Sequence, residues 1–282
     1  MTTFPTKKLH VSYSEVKTWK ECAYRHKLSY IDKIDLGSDS PYLDYGTLLH
    51  DQLESYLKDR VFNLEKLEKD LRDAWEQKGF DSEEYINEQA LHRKNNGWKP
   101  KPHNYIDEWV SWAKNSLNDI PDFLDKNFPN WKYISAEEQL YENIENYDLN
   151  FKGFIDAVIE CDGPKGKKIR WVLDWKTANA GGWYKDKRRD FLTQAQISAY
   201  KMFWRKKNDF QIREVKCGFV LLKRGAKPLK TCELITVSSG PKMEERVDKL
   251  VKSMITSVRK GLYLKNRNSC LFCDFKNTEH CL

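Results

Sequence analysis

The residues best suited to chemistry lie close together near the middle of the chain. They read Phe151-Lys152-Gly153-Phe154-Ile155-Asp156, then the turn Asp162-Gly163-Pro164-Lys165-Gly166, then Val172-Leu173-Asp174-Trp175-Lys176-Thr177. Apolar runs on either side of such turn residues predict a β-hairpin. Asp174 and Lys176 are two apart, so on a strand they share a face. Asp156 and Asp174 are equidistant from Lys165, so a hairpin centred there sets them opposite each other. A slip of one residue would send Asp156 to the other face. Two facing carboxylates among apolar strand residues repel each other and are costly to bury. A divalent cation such as Mg²⁺ or Mn²⁺ removes that conflict, holds phosphate oxygens and lowers the pKa of a bound water. A neighbouring lysine can orient or deprotonate the water and offset developing charge. Together these groups suit hydrolysis of a phosphodiester. Alone, an Asp-x-Lys pair is more often an ion pair at a strand end, so its companions matter.

The elements that must position these residues can be read from periodicity. Ser12-x-x-Glu15 has capping-box spacing, and Val16, Trp19, Ala23 and Tyr30 predict a helix over 13–30. Further helices are predicted over 42–59, 64–78 and 104–118, with a basic loop over 93–104 that holds Asn-Asn-Gly and two prolines. Strands follow over 133–142, 149–161 and 168–177, then a helix over 189–207, strands over 215–223 and 231–237, and a helix over 243–262. Glu137 or Glu138, on the strand before Asp156, could add a further carboxylate, but a solvated strand edge is the favoured reading. Helices first, a mixed sheet in the middle and a closing helix make the fold class α/β, with helices flanking the sheet.

The 282 residues suit one domain with an insertion, and 13% aromatic content with 32% mixed charge excludes wholesale disorder. No run of about 18 apolar residues is present, so no membrane helix is expected. The first residues are polar, without a secretory pattern, so a cytoplasmic location is expected, viral origin included. The net charge of +7 is modest for a nucleic-acid binder. It is concentrated locally, in Arg93, Lys94, Lys99 and Lys101 beside Trp98, and in Lys185, Lys187, Arg188 and Arg189 beside Trp183 and Tyr184. Basic groups interleaved with aromatics fit phosphates and unpaired bases. Cys270, Cys273 and Cys281 crowd a polar tail, and Cys22 stands near the start. Four thiolates suit a [4Fe–4S] cluster or structural Zn²⁺. Cys161, Cys217 and Cys232 read as small buried hydrophobes.

Five segments, in order, resemble the RecB-like branch of the PD-(D/E)XK nucleases. They are Tyr13-Ser14-Glu15 through Cys22 and Tyr24-Arg25, Gly46-Thr47-Leu48-Leu49-His50, Gly153-Phe154-Ile155-Asp156, Asp174-Trp175-Lys176-Thr177, and Gln196-Ile197-Ser198-Ala199-Tyr200. The resemblance implies a single domain over 1–282 with a restriction-endonuclease-like core, a helical insertion over 60–130, and residues 263–282 joined to Cys22 as a metal-cluster staple. It implies that His50, Asp156, Asp174 and the Trp175 carbonyl hold Mg²⁺ or Mn²⁺, with the histidine favouring Mn²⁺. It makes Lys176 the catalytic lysine, and Gln196 and Tyr200 residues that touch DNA or position it. For Cys22, Cys270, Cys273 and Cys281 it favours [4Fe–4S], with Zn²⁺ open. The expected activity is a metal-dependent deoxyribonuclease, an exonuclease, acting on single-stranded DNA or free ends in recombination, repair or CRISPR adaptation, where other proteins of those systems are possible partners. The alternatives are a catalytically idle iron–sulfur DNA-binding subunit of a helicase–nuclease complex and a zinc-stapled RNA-processing nuclease.

Overall fold

The sheet is organised by β3 (Asn150–Asp162), which has neighbours along both edges. β2 (Lys132–Asn143) runs antiparallel along nearly the whole of one edge. On the other edge two strands meet it end to end. β1 (His10–Ser12) pairs parallel with residues 150–152, and β4 (Lys168–Asn179) pairs antiparallel with residues 157–162. Between them, residues 153–156 have no strand partner on that edge among the described residues. β4 continues parallel to β5 (Val215–Arg224), which pairs antiparallel with β6 (Cys232–Val237). The computed structural model describes residues 4–37 and 39–281.

Helices cover both faces, as the α/β reading requires. α1 (Tyr13–Glu21), α8 (Phe191–Lys207) and α9 (Pro241–Arg259) pack on one core. On α9, Val247, Leu250, Val251, Met254 and Val258 recur at helical spacing and all are buried. α3 (Pro41–Asp59), α4 (Leu64–Lys78) and α6 (Ile106–Asn127) pack on the other. Asn63 caps α4 by accepting from the Lys66 N–H at 2.9 Å, and Gly79 ends it in the left-handed region. Among the described residues, no helix is long and apolar enough to cross a membrane.

The structure departs from the periodicity reading in four places. The helix expected over 13–30 breaks at Cys22, which is extended (φ −159°, ψ 111°). A short α2 (Ala23–His26) and one π turn over Lys27–Ile31 follow it. The groups freed by the break find partners in the C-terminal tail. The Tyr24 N–H donates to Leu264 O at 3.2 Å, and Asn266 Nδ2 and Ser269 Oγ donate to Glu21 O at 2.8 and 2.6 Å. The basic loop is partly helix: α5 (Glu83–Asn95), capped by Ser82, reaches into it. α6 passes beyond residue 118 and through Pro121, because Leu117, Ile120 and Leu124 stay buried on either side of the lost donor. The helix expected over 189–207 begins two residues later, as α8, after a short α7 (Lys185–Arg189), with Asp190 capping α8 through the Thr193 N–H at 2.6 Å.

Candidate active site

The hairpin adopts the anticipated register. Ala157 faces Leu173, and continuing that register sets Asp156 across from Asp174. Val172 packs into the core beneath α8, while Leu173 and Trp175 pack into the other, so Asp174 and Lys176 face α8. Past Leu173 the ladder opens, and the Trp175 N–H donates to Asp156 Oδ2 at 2.7 Å.

A change of phase in the sheet makes the opening. Phe151, Ile155 and Val158 pack on the α8 side, but Ala157 and Ile159 pack on the α3 side, so the alternation of β3 switches at Asp156. β2 switches at the same level: Leu140 lies in the first core and Ala136 packs against the second. Between them Glu137 has φ 48°, in the left-handed region, while the register holds on either side of it (Ala136 with Ala157, Glu138 with Ile155). Glu137 was expected on a solvated edge, and it is exposed. Yet its carboxylate joins the site: one ligand atom each from His50, Glu137 and Asp156 lie within 4.8 Å of one another. Glu138, by contrast, is structural, accepting from Trp204 Nε1 and Lys207 Nζ at 2.9 Å each. A left-handed glutamate in a strand has no local sequence signal, so geometry was needed to separate Glu137, which joins the site, from Glu138, which does not.

His50 reaches the gap from α3, in the opposite helix layer, and its Nδ1 lies 3.7 Å from Asp156 Oδ2. Burial lowers its pKa, and Lys176 adds to that, while Asp174 and a hydrogen bond to the Trp175 backbone oppose it. The net effect favours the neutral imidazole, the form that ligates metals. Asp174 is 1% exposed; its Oδ1 accepts from Gln196 Nε2 at 3.3 Å. Its Oδ2 lies 2.5 Å from Lys176 Nζ but takes no well-directed hydrogen bond. Burial, and then the Asp174 charge, raise the pKa of Asp156 well above the usual carboxylate value. Burial works against the charge on Lys176, but Asp174 and Asp156 outweigh it and push the pKa up to about 12. Lys176 is therefore an ammonium at neutral pH, suited to charge stabilisation and orientation rather than proton abstraction.

Gln196 and Tyr200 lie one turn apart on one face of α8. Burial pushes the Tyr200 pKa up to about 12, so the hydroxyl stays neutral. Gln196 braces Asp174 rather than Lys176 directly. Gly153 makes this packing feasible, since a Cβ there would stand 2.8 Å from Tyr200 Cε1. Asp156, Asp174, Lys176, Gln196 and Tyr200 line one pocket of about 570 Å³, whose walls add Lys17 and Lys152. Lys187, on α7, feels both Lys17 and Lys176, and burial lowers its pKa. The aromatics beside it divide: Trp183 is core and Tyr184 is 79% exposed. Arg188 is tied to Glu233 at 2.6 Å, so only part of that basic run faces solvent freely.

The four cysteines singled out in the sequence come together. Cys22, Cys270, Cys273 and Cys281 line one cavity of about 250 Å³, with Arg25, Lys265, Arg267 and Lys276 around it. Cys22 Sγ accepts from the Asn266 N–H at 3.4 Å. Cys161 and Cys217 are buried as expected, and Cys232 is half-buried.

A mixed sheet with helices on both faces, opened at one edge beside two aspartates and a lysine, is matched by a known family. The family described as the PD-(D/E)XK nuclease superfamily matches residues 10–278. The chain belongs to that superfamily. Its architecture is the restriction-endonuclease-like core of such nucleases. Among solved structures, it is similar to a protein of Eubacterium rectale described as a "putative exonuclease", at 12% identity and a TM-score of 0.51, covering 94% of this chain and 86% of that one. That likeness is one of fold. The structure of SSO0001 aligns at 13% identity over 93% of each chain, with a TM-score of 0.32. No curated protein matches the sequence.

Proposed function

We propose that this superfamily member is a metal-dependent deoxyribonuclease of the RecB-like branch that works as an exonuclease. The observation that carries the reading is the convergence of Asp156, Asp174 and Lys176 at the opening between β3 and β4, with His50 and Glu137 on its other side. A buried carboxylate, a half-buried one and a neutral imidazole form a donor set for Mn²⁺ or Mg²⁺, and Asp156, disfavoured as an anion beside Asp174, gains most from a cation. His50, Asp156, Asp174 and the Trp175 carbonyl would hold the ion, and Glu137 is close enough to join them. The ion would supply an acidified water and charge neutralisation at the phosphate. The chain's own residues do the rest. Lys176 offers a fixed positive charge to the phosphate and orients the attacking water. Gln196 holds Asp174. Lys17 and Lys152 give the pocket wall the sign that a phosphodiester backbone needs.

The cysteine cavity suits a [4Fe–4S] cluster, with Zn²⁺ as the alternative. Four thiols face one space, and the surrounding cations favour thiolates and offset cluster charge. On this reading residues 1–282 form one nuclease unit, with 60–130 as its helical insertion and 263–282 joined to Cys22 as a staple. Its setting would be intracellular DNA recombination, repair or CRISPR adaptation. The deciding experiment is cleavage of end-labelled DNA and RNA with Mn²⁺ or Mg²⁺, with Lys176→Ala alongside. Shortening of DNA from an end by the parent protein alone supports the proposal. Equal cleavage by both proteins, or a preference for RNA, overturns it.

A further inference from the structure

α5 is a helix that buries none of its residues. Even so, Tyr85, Ile86, Gln89, Ala90 and Arg93 recur on one face of it, and all five line a cleft of about 610 Å³. Trp75, Phe80 and Trp109, packed against one another at ring separations of 5.1 and 5.2 Å, form its floor. The rim carries Tyr42, Trp98, Lys94 and Lys101. Tyr42 and Trp98 are 49% and 38% exposed, and Arg224 braces the Tyr42 ring from 4.4 Å. Among the described residues, the lining includes Lys and Arg but no Asp or Glu, although the chain has 42 of these acidic residues.

We propose that this cleft is a second nucleic-acid site, which takes unpaired bases of single-stranded DNA on its aromatic rings and their phosphates on Lys94 and Lys101. It rests on the deoxyribonuclease reading and adds a place where the strand is held away from the cleaved bond. Aromatic faces stack on any base, but a duplex keeps its base faces covered, so the chemistry selects unpaired strand. Lys94 and Lys101 are exposed, and Asp81, the carboxylate beside the lining residue His103, is taken up by it at 2.7 Å, so both lysines are left to attract the backbone. α3 links the two sites. Tyr42 and His50 are eight residues apart on it, which is about 12 Å of helix. That corresponds to about four stacked nucleotides at about 3.4 Å each.

The test is fluorescence anisotropy of labelled oligothymidylate of about 12 nucleotides with the full chain in chelator, where cleavage is stopped. Trp98→Ala is expected to weaken binding by about 5- to 100-fold and to leave duplex binding unchanged. Trp98→Phe, which keeps a ring, restores most of the affinity. Replacing Lys94 and Lys101 together by alanine lowers the salt dependence (log K against log salt) by about 1.4. Equal affinity of Trp98→Ala and parent for oligothymidylate overturns the cleft, and so does tighter binding of oligouridylate. Cleavage in Mn²⁺, measured separately, keeps the two readings apart. A protein that cuts DNA but ignores Trp98 loses only the cleft. One that binds through Trp98 but never cuts keeps the cleft and loses the nuclease. One that neither binds nor cuts loses both.

Discussion

Substituting Gly153 by alanine tests how the sheet and α8 jointly set the site. The added Cβ would stand 2.8 Å from Tyr200 Cε1 and 3.5 Å from Phe151 Cε1. Relaxed carbon contacts lie at about 3.5 Å or more, so the Tyr200 ring must retreat by about 0.7 Å. It has little room. The ring is 9% exposed and sits edge-on to Phe151 at 6.3 Å. Overpacking of this kind costs about 1–3 kcal/mol. With an unfolding entropy of about 2.1 cal/mol/K per residue, the midpoint should fall by about 2–5 °C. The retreat also presses on α8 one turn from Gln196, which holds Asp174, and a displacement approaching 1 Å at a reacting centre lowers turnover by about 10- to 100-fold. Thermal melting and DNA cleavage in Mn²⁺ read the two effects. Tyr200→Ala in the same chain removes the obstruction, so the double variant should melt within about 0.5 kcal/mol of Tyr200→Ala alone. Additive losses, or a Gly153→Ala protein that melts and cuts like the parent, would refute this account of the glycine.

Four other outcomes are expected. Lys176→Ala should lower turnover by about 10²- to 10³-fold while leaving DNA affinity nearly intact, which single-turnover kinetics and binding in chelator separate. Mn²⁺ at about 100 times its dissociation constant should stabilise the protein by about 2.7 kcal/mol, or about 4–5 °C, and Asp156→Asn should abolish that shift in calorimetry. In chelator the midpoint should fall as pH rises above about 4, the ordinary aspartate value, because an acid whose folded pKa is raised contributes stability that is complete below its unfolded pKa and lost as pH climbs through the folded value. Asp156→Asn should flatten that profile and raise the midpoint at the upper end. Cys270→Ala and Cys273→Ala should each lose metal, read by iron and zinc analysis and by visible absorption, and lower the midpoint; unchanged metal content in both would remove the staple.

The hairpin was legible because its determinants are local. Turn residues fix its centre, a two-residue period fixes the faces, and the Asp156–Asp174 apposition follows from counting. Several helices, α4 and α9 among them, were legible because their apolar stripes meet one core. What escaped depends on partners distant in the chain. Nothing near Cys22 announces that residues 264–269 will take up the groups of a broken turn. Nothing near Glu137 or Asp156 announces a shared change of phase. α5 escaped for the opposite reason: it faces a cleft, so it carries no core stripe to read. His50 could be singled out only through the company of the other segments, since a lone helical histidine beside a glutamate is commonplace.

The nine residues of α1 serve two masters. Their early part, with Tyr13, Ser14 and Lys17, walls the pocket that holds Asp174 and Lys176, and their last residue is gripped by Asn266 and Ser269. A nascent chain emerging from the ribosome has its hairpin, both aspartates and its lysine long before it has the residues that seat this wall. The pocket is thus walled only after residues 266 and 269 are in place, and anything that pries away residues 263–281 loosens that wall from behind without touching Asp156 or Asp174.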